Sequence, residues 1–359
     1  MTKLAIVFLL ITETVGLAQK GKQLTEVYHN DTLQLTGITI SNSGRLFVNF
    51  PRWSDYYVNA VIEILPNGST KPFPDESWNR WDGKQNAAGK AFVCVQSVVV
   101  DDTDTFWVLD PAAPLFGPVV TGGAKLVQID LKSNSVTRVI AFGPEVAKSD
   151  SYLNDVRFDT QRKIAYITDS GSPGIVVVDL ASGKARRTLD GHPSTKLQPG
   201  VDIKINGKSV RDASGKPPSF NSDGIALSAD REYLYYQALT GATLYRIKTS
   251  VLRDANANPD AVGAAVETVA QTFPVDGMWM DKKGRLYLSG LNQGAILRRS
   301  PDGRIETVAA DPRIQWPDTF SEGSDGTIYF TTSHIQEMPR YNQGKRMLSS
   351  PFGVFKFTP

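Results

Sequence analysis

The chain is poor in the residues that most often announce chemistry. It has one cysteine, Cys94, and three histidines, His29, His192 and His334. A lone cysteine excludes an internal disulfide and a cysteine-based zinc centre. Cys94 sits in an apolar stretch without a basic or histidine neighbour, so it reads as a small buried hydrophobe. Net charge is also scarce, at +2 over 359 residues, which gives no support for a nucleic-acid partner. No nucleophile elbow is present, since Ser170-Gly171-Ser172-Pro173-Gly174 reads as a turn. A phosphate-cradling glycine loop is missing too. Helical periodicity is weak everywhere except a turn or two at Thr249–Asp254. The rest is ordinary: 41% hydrophobic and 21% charged residues, a globular balance.

The first residues read as an address. Lys3 precedes a short apolar run, Leu4–Ile11, and Gly16-Leu17-Ala18 supplies small residues for cleavage. The run is too short to span a bilayer. We expect residues 1–18 to be a signal peptide and residues 19–359 to form one secreted or periplasmic domain. Removing Lys3 and Glu13 with the leader keeps the charge at +2.

What the chain does have is a repeat. Val95–Val100 and Phe106–Leu109 are two strands around the acidic turn Asp101–Thr105. The same pattern recurs at Gly37–Val48, Asn154–Ile167, Asp223–Tyr236, Asp276–Leu288 and Pro317–Phe330. Each copy carries a polar or glycine residue at or near its start and returns through an apolar triplet that includes an aromatic residue. Further strands follow each copy, such as Lys125–Asp130 and Gly174–Asp179. Four-stranded antiparallel units repeated in this way predict an all-β, six-bladed β-propeller. A ring needs a clasp. Leu24–Tyr28 and Gly353–Phe357 both read as strands, and we expect them to close one blade together. Three polar loops, Asn67–Ala91, Gly191–Phe220 and Met338–Pro351, lie between blades.

The stretches VQSVVVDDTDTFWVLDPA and NSDGIALSADREYLYYQALTGATLYRIKTSVLRD resemble the major royal jelly protein / Yellow family, as do VDGMWMDKKGRLYLSGLNQGAILRRSPDG and QWPDTFSEGSDGTIYFTTSHI. The resemblance covers most of the chain after the leader. It implies a secreted six-bladed propeller and leaves the function open. Members include ligand-binding salivary proteins, nutritive secreted proteins and proteins tied to isomerisation in the melanin pathway.

The first residues of the six hairpins should converge on one mouth of the central channel. That ring is Gly37, Ser97, Asn154-Asp155, Asp223, Asp276 and Asp318, with Asp110, Asp169, Gln237, Asn292 and Ser333-His334 added from the return strands. Gathered carboxylates repel unless they are hydrogen-bonded, protonated or bound to a cation. One reading is a calcium or magnesium site using Asn154 and Asp223, with Asp276 or Asp318. Similar six-bladed lactonases of the gluconolactonase type use an Asn and an Asp in the third and fourth blades and a Glu in the first. Here the first-blade place is Thr36-Gly37-Ile38, without an acid. The plainer reading of each Asp-Gly is a turn device. Trp53, Phe220, Trp316 and Phe320 are candidate pocket walls, and with Asp155 and Asp276 they suit an aromatic or amine-like ligand. For an enzyme, the expected acid–base pair is His334 with Asp318. The main reading is a monomeric protein that binds a small aromatic or amine-like ligand at the mouth of its central channel; the alternative is an enzyme, either an isomerase of catechol-derived compounds or a calcium-dependent lactone hydrolase.

Overall fold

The computed structural model describes residues 24–359. The expected signal peptide lies outside the described residues. Six four-stranded antiparallel sheets form the molecule, with one extra two-stranded hairpin at Lys204–Ile205 and Lys208–Ser209. The innermost strands, in blade order, are Ile38–Ile40, Ser97–Val100, Leu153–Asp159, Ser222–Leu227, Val275–Met280 and Pro317–Glu322. Each packs against the innermost strands of both neighbouring blades, and the ring closes between the sixth and the first. The fold is a six-bladed β-propeller.

The clasp is the one expected. Thr25–Asn30 pairs antiparallel with Phe352–Phe357, so both ends of the chain complete the sixth blade. Pairing removes a sheet edge that would otherwise be open to other chains.

The triplets of the return strands explain the packing. Their aromatic residues point between blades, and one apolar cluster fills each seam. Phe47 and Phe106 meet in the seam of blades one and two, with ring centroids 4.7 Å apart. Tyr166 and Tyr236 fill the seam of blades three and four, and Tyr287 and Phe330 that of five and six. Burying one such side chain is worth about 1.5–3 kcal/mol, so the seams hold the ring together. Cys94 lies in the seam of blades two and three, fully buried, as its surroundings in sequence suggested.

Two loops hold more structure than expected. Asn67–Ala91 supplies the fourth strand of blade one, Thr70–Pro72, and a short helix, Glu76–Asn79, capped by Asp75. The helical turn at Thr249–Arg253 is followed by a second at Pro259–Ala264. Among the described residues no helix is long and apolar enough to cross a membrane.

Candidate functional site

Four of the six innermost strands carry a β-bulge at the same place. Register slips between Leu153 and Val156, Ser222 and Ile225, Val275 and Met278, and Pro317 and Phe320. The residues inside the slips are Asn154-Asp155, Asp223-Gly224, Asp276-Gly277 and Asp318-Thr319. A bulge frees backbone groups and re-aims side chains. Hydroxyls of the second strands take up the freed groups: Thr168 donates to Asp223 O at 2.6 Å, Ser289 accepts from Asp276 N at 2.9 Å, and Thr331 accepts from Thr319 N at 3.1 Å. The glycines answer to crowding. A side-chain carbon at Gly277 would lie 1.9 Å from Asp318 O, and one at Gly224 would lie 2.5 Å from Asp276 O.

The bulges deliver Asn154, Asp223, Asp276 and Asp318 to one small cavity of about 20 Å³ at the channel mouth, walled by Trp53, Phe116, Tyr152 and Phe220. That is room for only one or two waters. All three carboxyls are buried. Burial pushes Asp223 well above the ordinary carboxylate value, and the charges of Asp276 and Asp318 add to it. Asp318 rises in the same way, through burial and then Asp276 and Asp155. Asp276 is pushed up to about 7 by burial; hydrogen bonds from Trp316 and from Asp223 hold it back. Both members of the Asp223–Asp276 pair are raised, so the pair shares a proton and titrates as a unit.

Asp155 points elsewhere. It accepts from Ser97 Oγ at 2.7 Å and pairs with Arg157, Nη2 to Oδ2 2.8 Å. The same Nη2 donates to Met278 O at 2.7 Å, across the channel from blade three to blade five. This arginine stops the channel beneath the acids, and its far side lines a separate cavity of about 240 Å³ with Trp279 and Glu322.

A wider vestibule of about 450 Å³ lies outside the acid cavity, lined by Tyr152, Ser170, Phe220 and Arg340. Phe116 borders both spaces. Its ring stacks on Trp53 at 4.8 Å and on Tyr152 at 5.5 Å, under the Arg340 guanidinium. Leu115 and Phe116 hold left-handed backbone angles of 58° and 56°, a conformation costing roughly 1–3 kcal/mol per residue and concentrated at ligand sites. The Trp53 indole donates to Tyr152 Oη at 2.6 Å, and Tyr152 donates to Gln96 Oε1 at 3.0 Å.

The structure thus brings together Asn154, Asp223, Asp276, Asp318, Trp53 and Phe220. Trp316 does not line the cavity; it is buried behind Asp276 and donates to Oδ2 at 2.7 Å. Phe320 packs in the seam of blades five and six. His334 lines a different cavity, and its Nδ1 faces Glu337 Oε2 at 3.3 Å rather than Asp318. Asp110 and Asp169, expected in the mouth, are structural anchors. Asp110 pairs with fully buried Lys125 at 2.7 Å, and Asp169 with Arg187 at 2.8 Å, while both accept several backbone N–H groups. Gln237 bonds Phe273 O, and Asn292 bonds Asp202 O, again outside the mouth. Sequence reasoning missed Gln96 and Tyr152, although both sit just before an innermost strand, where such a signal was available. Phe116 left no signal.

A hard cation was one expectation. The oxygens are of the right kind. Yet among the described residues no three His, Cys, Asp or Glu side chains are placed to hold one ion. The first-blade place is also taken: a side-chain carbon at Gly37 would lie 2.0 Å from Asn49 Oδ1. The residues present do not fit a calcium cage.

Six blades around a mouth of bulge-borne acids define a propeller with a buried polar funnel. The chain belongs to the major royal jelly protein family, whose sequence profile matches residues 93–346. Major royal jelly protein 5 of Apis mellifera is 23% identical over 274 residues, covering 70% of this chain and 42% of that one. The chain therefore spans about two fifths of that relative's length. In shape it is similar to a gluconolactonase from Xanthomonas campestris, at 11% identity and TM-score 0.56, covering 94% of this chain and 90% of that one. It is also similar to the calcium-binding protein regucalcin from Agrobacterium tumefaciens, at 13% identity and TM-score 0.55, covering 94% and 92%. At these identities the likeness concerns the fold alone.

Proposed function

We propose that the acid cavity and the vestibule of about 450 Å³ outside it together form the active site of an exported acid–base enzyme that isomerises a small aromatic, catechol-derived compound, its ring lying in the vestibule and its reacting atoms at the acids. The observation behind it is Asp276, a buried carboxyl pushed to about 7 beside Asp223, a second buried carboxyl that is raised as well. A group with that value both takes and returns protons at neutral pH. Asp276 would remove a proton from one substrate atom, and Asp223 would deliver its own to another. Such a tautomerisation balances without oxidant or cofactor. Trp53, Phe116 and Phe220 supply flat apolar faces for a ring. On this reading the proton-handling pair is Asp223–Asp276, with Asp318 beside it, in place of His334 with Asp318. Calcium-assisted lactone hydrolysis has less support, because the first-blade place is a glycine.

The test is turnover of a panel of catechol-derived quinones and of simple δ-lactones. Quinone isomerisation with a pH limb near 7, lowered about 10²–10⁴-fold in Asp276→Asn, is expected. Lactone turnover abolished by chelator would replace this reading with the metal one.

A second reading is favoured by the excess of acid. Arg157 is taken by Asp155, so three carboxyls face the cavity without a cation. An ammonium group between aromatic walls would complement them. Binding of tyramine by a monomer, with proton uptake or release measured by calorimetry in two buffers and no turnover, is what this reading expects.

A further inference from the structure

Beside the acid cavity, with Trp53 lining both, lies a second space of about 70 Å³ with His334 in its wall. Phe50, Trp53, Tyr57 and Phe352 surround it, and Met347 forms part of its exposed rim. His334 is 1% exposed, and its backbone is left-handed at φ 48°. A non-glycine residue in that region is strained and marks a place worth explaining. Nδ1 faces Glu337, while Nε2 is buried without a hydrogen-bond partner. Buried polar atoms are nearly always partnered, and those that are not call for a missing group.

The neighbours say which kind of group. Burial opposes it, but hydrogen bonds from His334 and Ser349 hold Glu337 below the ordinary carboxylate value. Glu337 Oε2 accepts the proton of Nδ1 at 3.3 Å, and in that tautomer Nε2 is the acceptor. The missing group is therefore a donor, an O–H or N–H. The walls are aromatic, and the space runs to an exposed rim at Met347. We infer that His334 and Glu337 form a second binding site, independent of the acid cavity, for a small phenol whose hydroxyl donates to His334 Nε2. A phenol meets each demand at once: a flat apolar ring, one donor, no charge to desolvate.

The probe is phenol, with anisole as its partner of similar shape but without the donor. Protein carrying ¹⁵N-histidine has three imidazoles, and the His334 resonances are assigned by their loss in His334→Asn. Phenol should move the Nε2 resonance and bind at least tenfold tighter than anisole. Met347→Trp, a change at the exposed rim, should weaken phenol at least fivefold with an unchanged melting temperature. Asp276→Asn, which disables the acid cavity, should leave phenol binding intact. An unmoved Nε2 resonance, equal affinity for anisole, or loss of binding in Asp276→Asn would each overturn the assignment.

Discussion

Trp316 donates its indole N–H to Asp276 Oδ2 at 2.7 Å, with both side chains buried. This bond favours the charged carboxylate and so opposes the burial that raises Asp276. Trp316→Phe keeps an aromatic ring, though a smaller one, and removes the donor. The titration of Asp276 should then move upward from about 7, by on the order of one unit. Carboxyl-carbon NMR of the variant, or the acid limb of a pH–rate profile, reads that shift. A downward shift or none would mean that the bond is not felt by the carboxyl.

The same carboxyl sets a pH dependence of stability. Its ordinary value is 3.8 and its folded value is about 7. Between the two, the folded protein keeps a proton that the unfolded chain gives up. Stability from this group therefore falls as pH rises through that window, and is level above it. Asp223 and Asp318 are raised too and act in the same sense. Asp276→Asn removes the penalty of the buried charge. It should raise the melting temperature by roughly 2 °C or more at pH 8, and by less at pH 5. Scanning calorimetry at both values checks the sign.

The ring was legible because its return strands repeat an apolar–aromatic–apolar triplet that only makes sense as seam packing, as at Phe106-Trp107-Val108 and Leu286-Tyr287-Leu288. The acids were legible for a related reason: Asn154, Asp223, Asp276 and Asp318 hold one station in that repeat. The destinations of Asp110 and Asp169 were not, because a strand end reads the same whether its side chain faces the channel or caps the next loop. His334 was mis-paired because its left-handed backbone starts a turn that brings Glu337, three residues on, to the imidazole. Phe116 reaches the site on two left-handed residues of a loop, and nothing in Pro114-Leu115-Phe116 announces such a path.

Arg157 carries the next prediction. Its guanidinium neutralises buried Asp155 and bridges to blade five through Met278 O. Arg157→Met removes one partner and leaves a buried charge beneath three other acids, a loss of about 3–5 kcal/mol. Adding Asp155→Asn removes that charge and should recover much of the loss. Urea unfolding of both variants separates the pair from mere packing, since a packing defect would not be rescued by the second change.

Calcium offers the last test, and pH makes it decisive. Asp223 and Asp318 are protonated well above the ordinary carboxylate range, and Asp276 up to about 7. A cation entering at neutral pH must first displace those protons, and each pKa unit above the solution pH costs about 1.4 kcal/mol of binding. Among the described residues no three His, Cys, Asp or Glu side chains are placed to hold one ion and so repay that cost, and Asn49 fills the space at Gly37. Millimolar calcium should therefore leave the melting temperature at pH 7 unchanged within roughly 1 °C, whereas a site filled to a hundred times its Kd would add about 2.7 kcal/mol. Any calcium effect should grow toward pH 9 as the protons leave. Strong stabilisation already present at pH 7 would mean that the three acids are held open as metal ligands, and the proton-sharing pair at Asp223 and Asp276 would have to be given up.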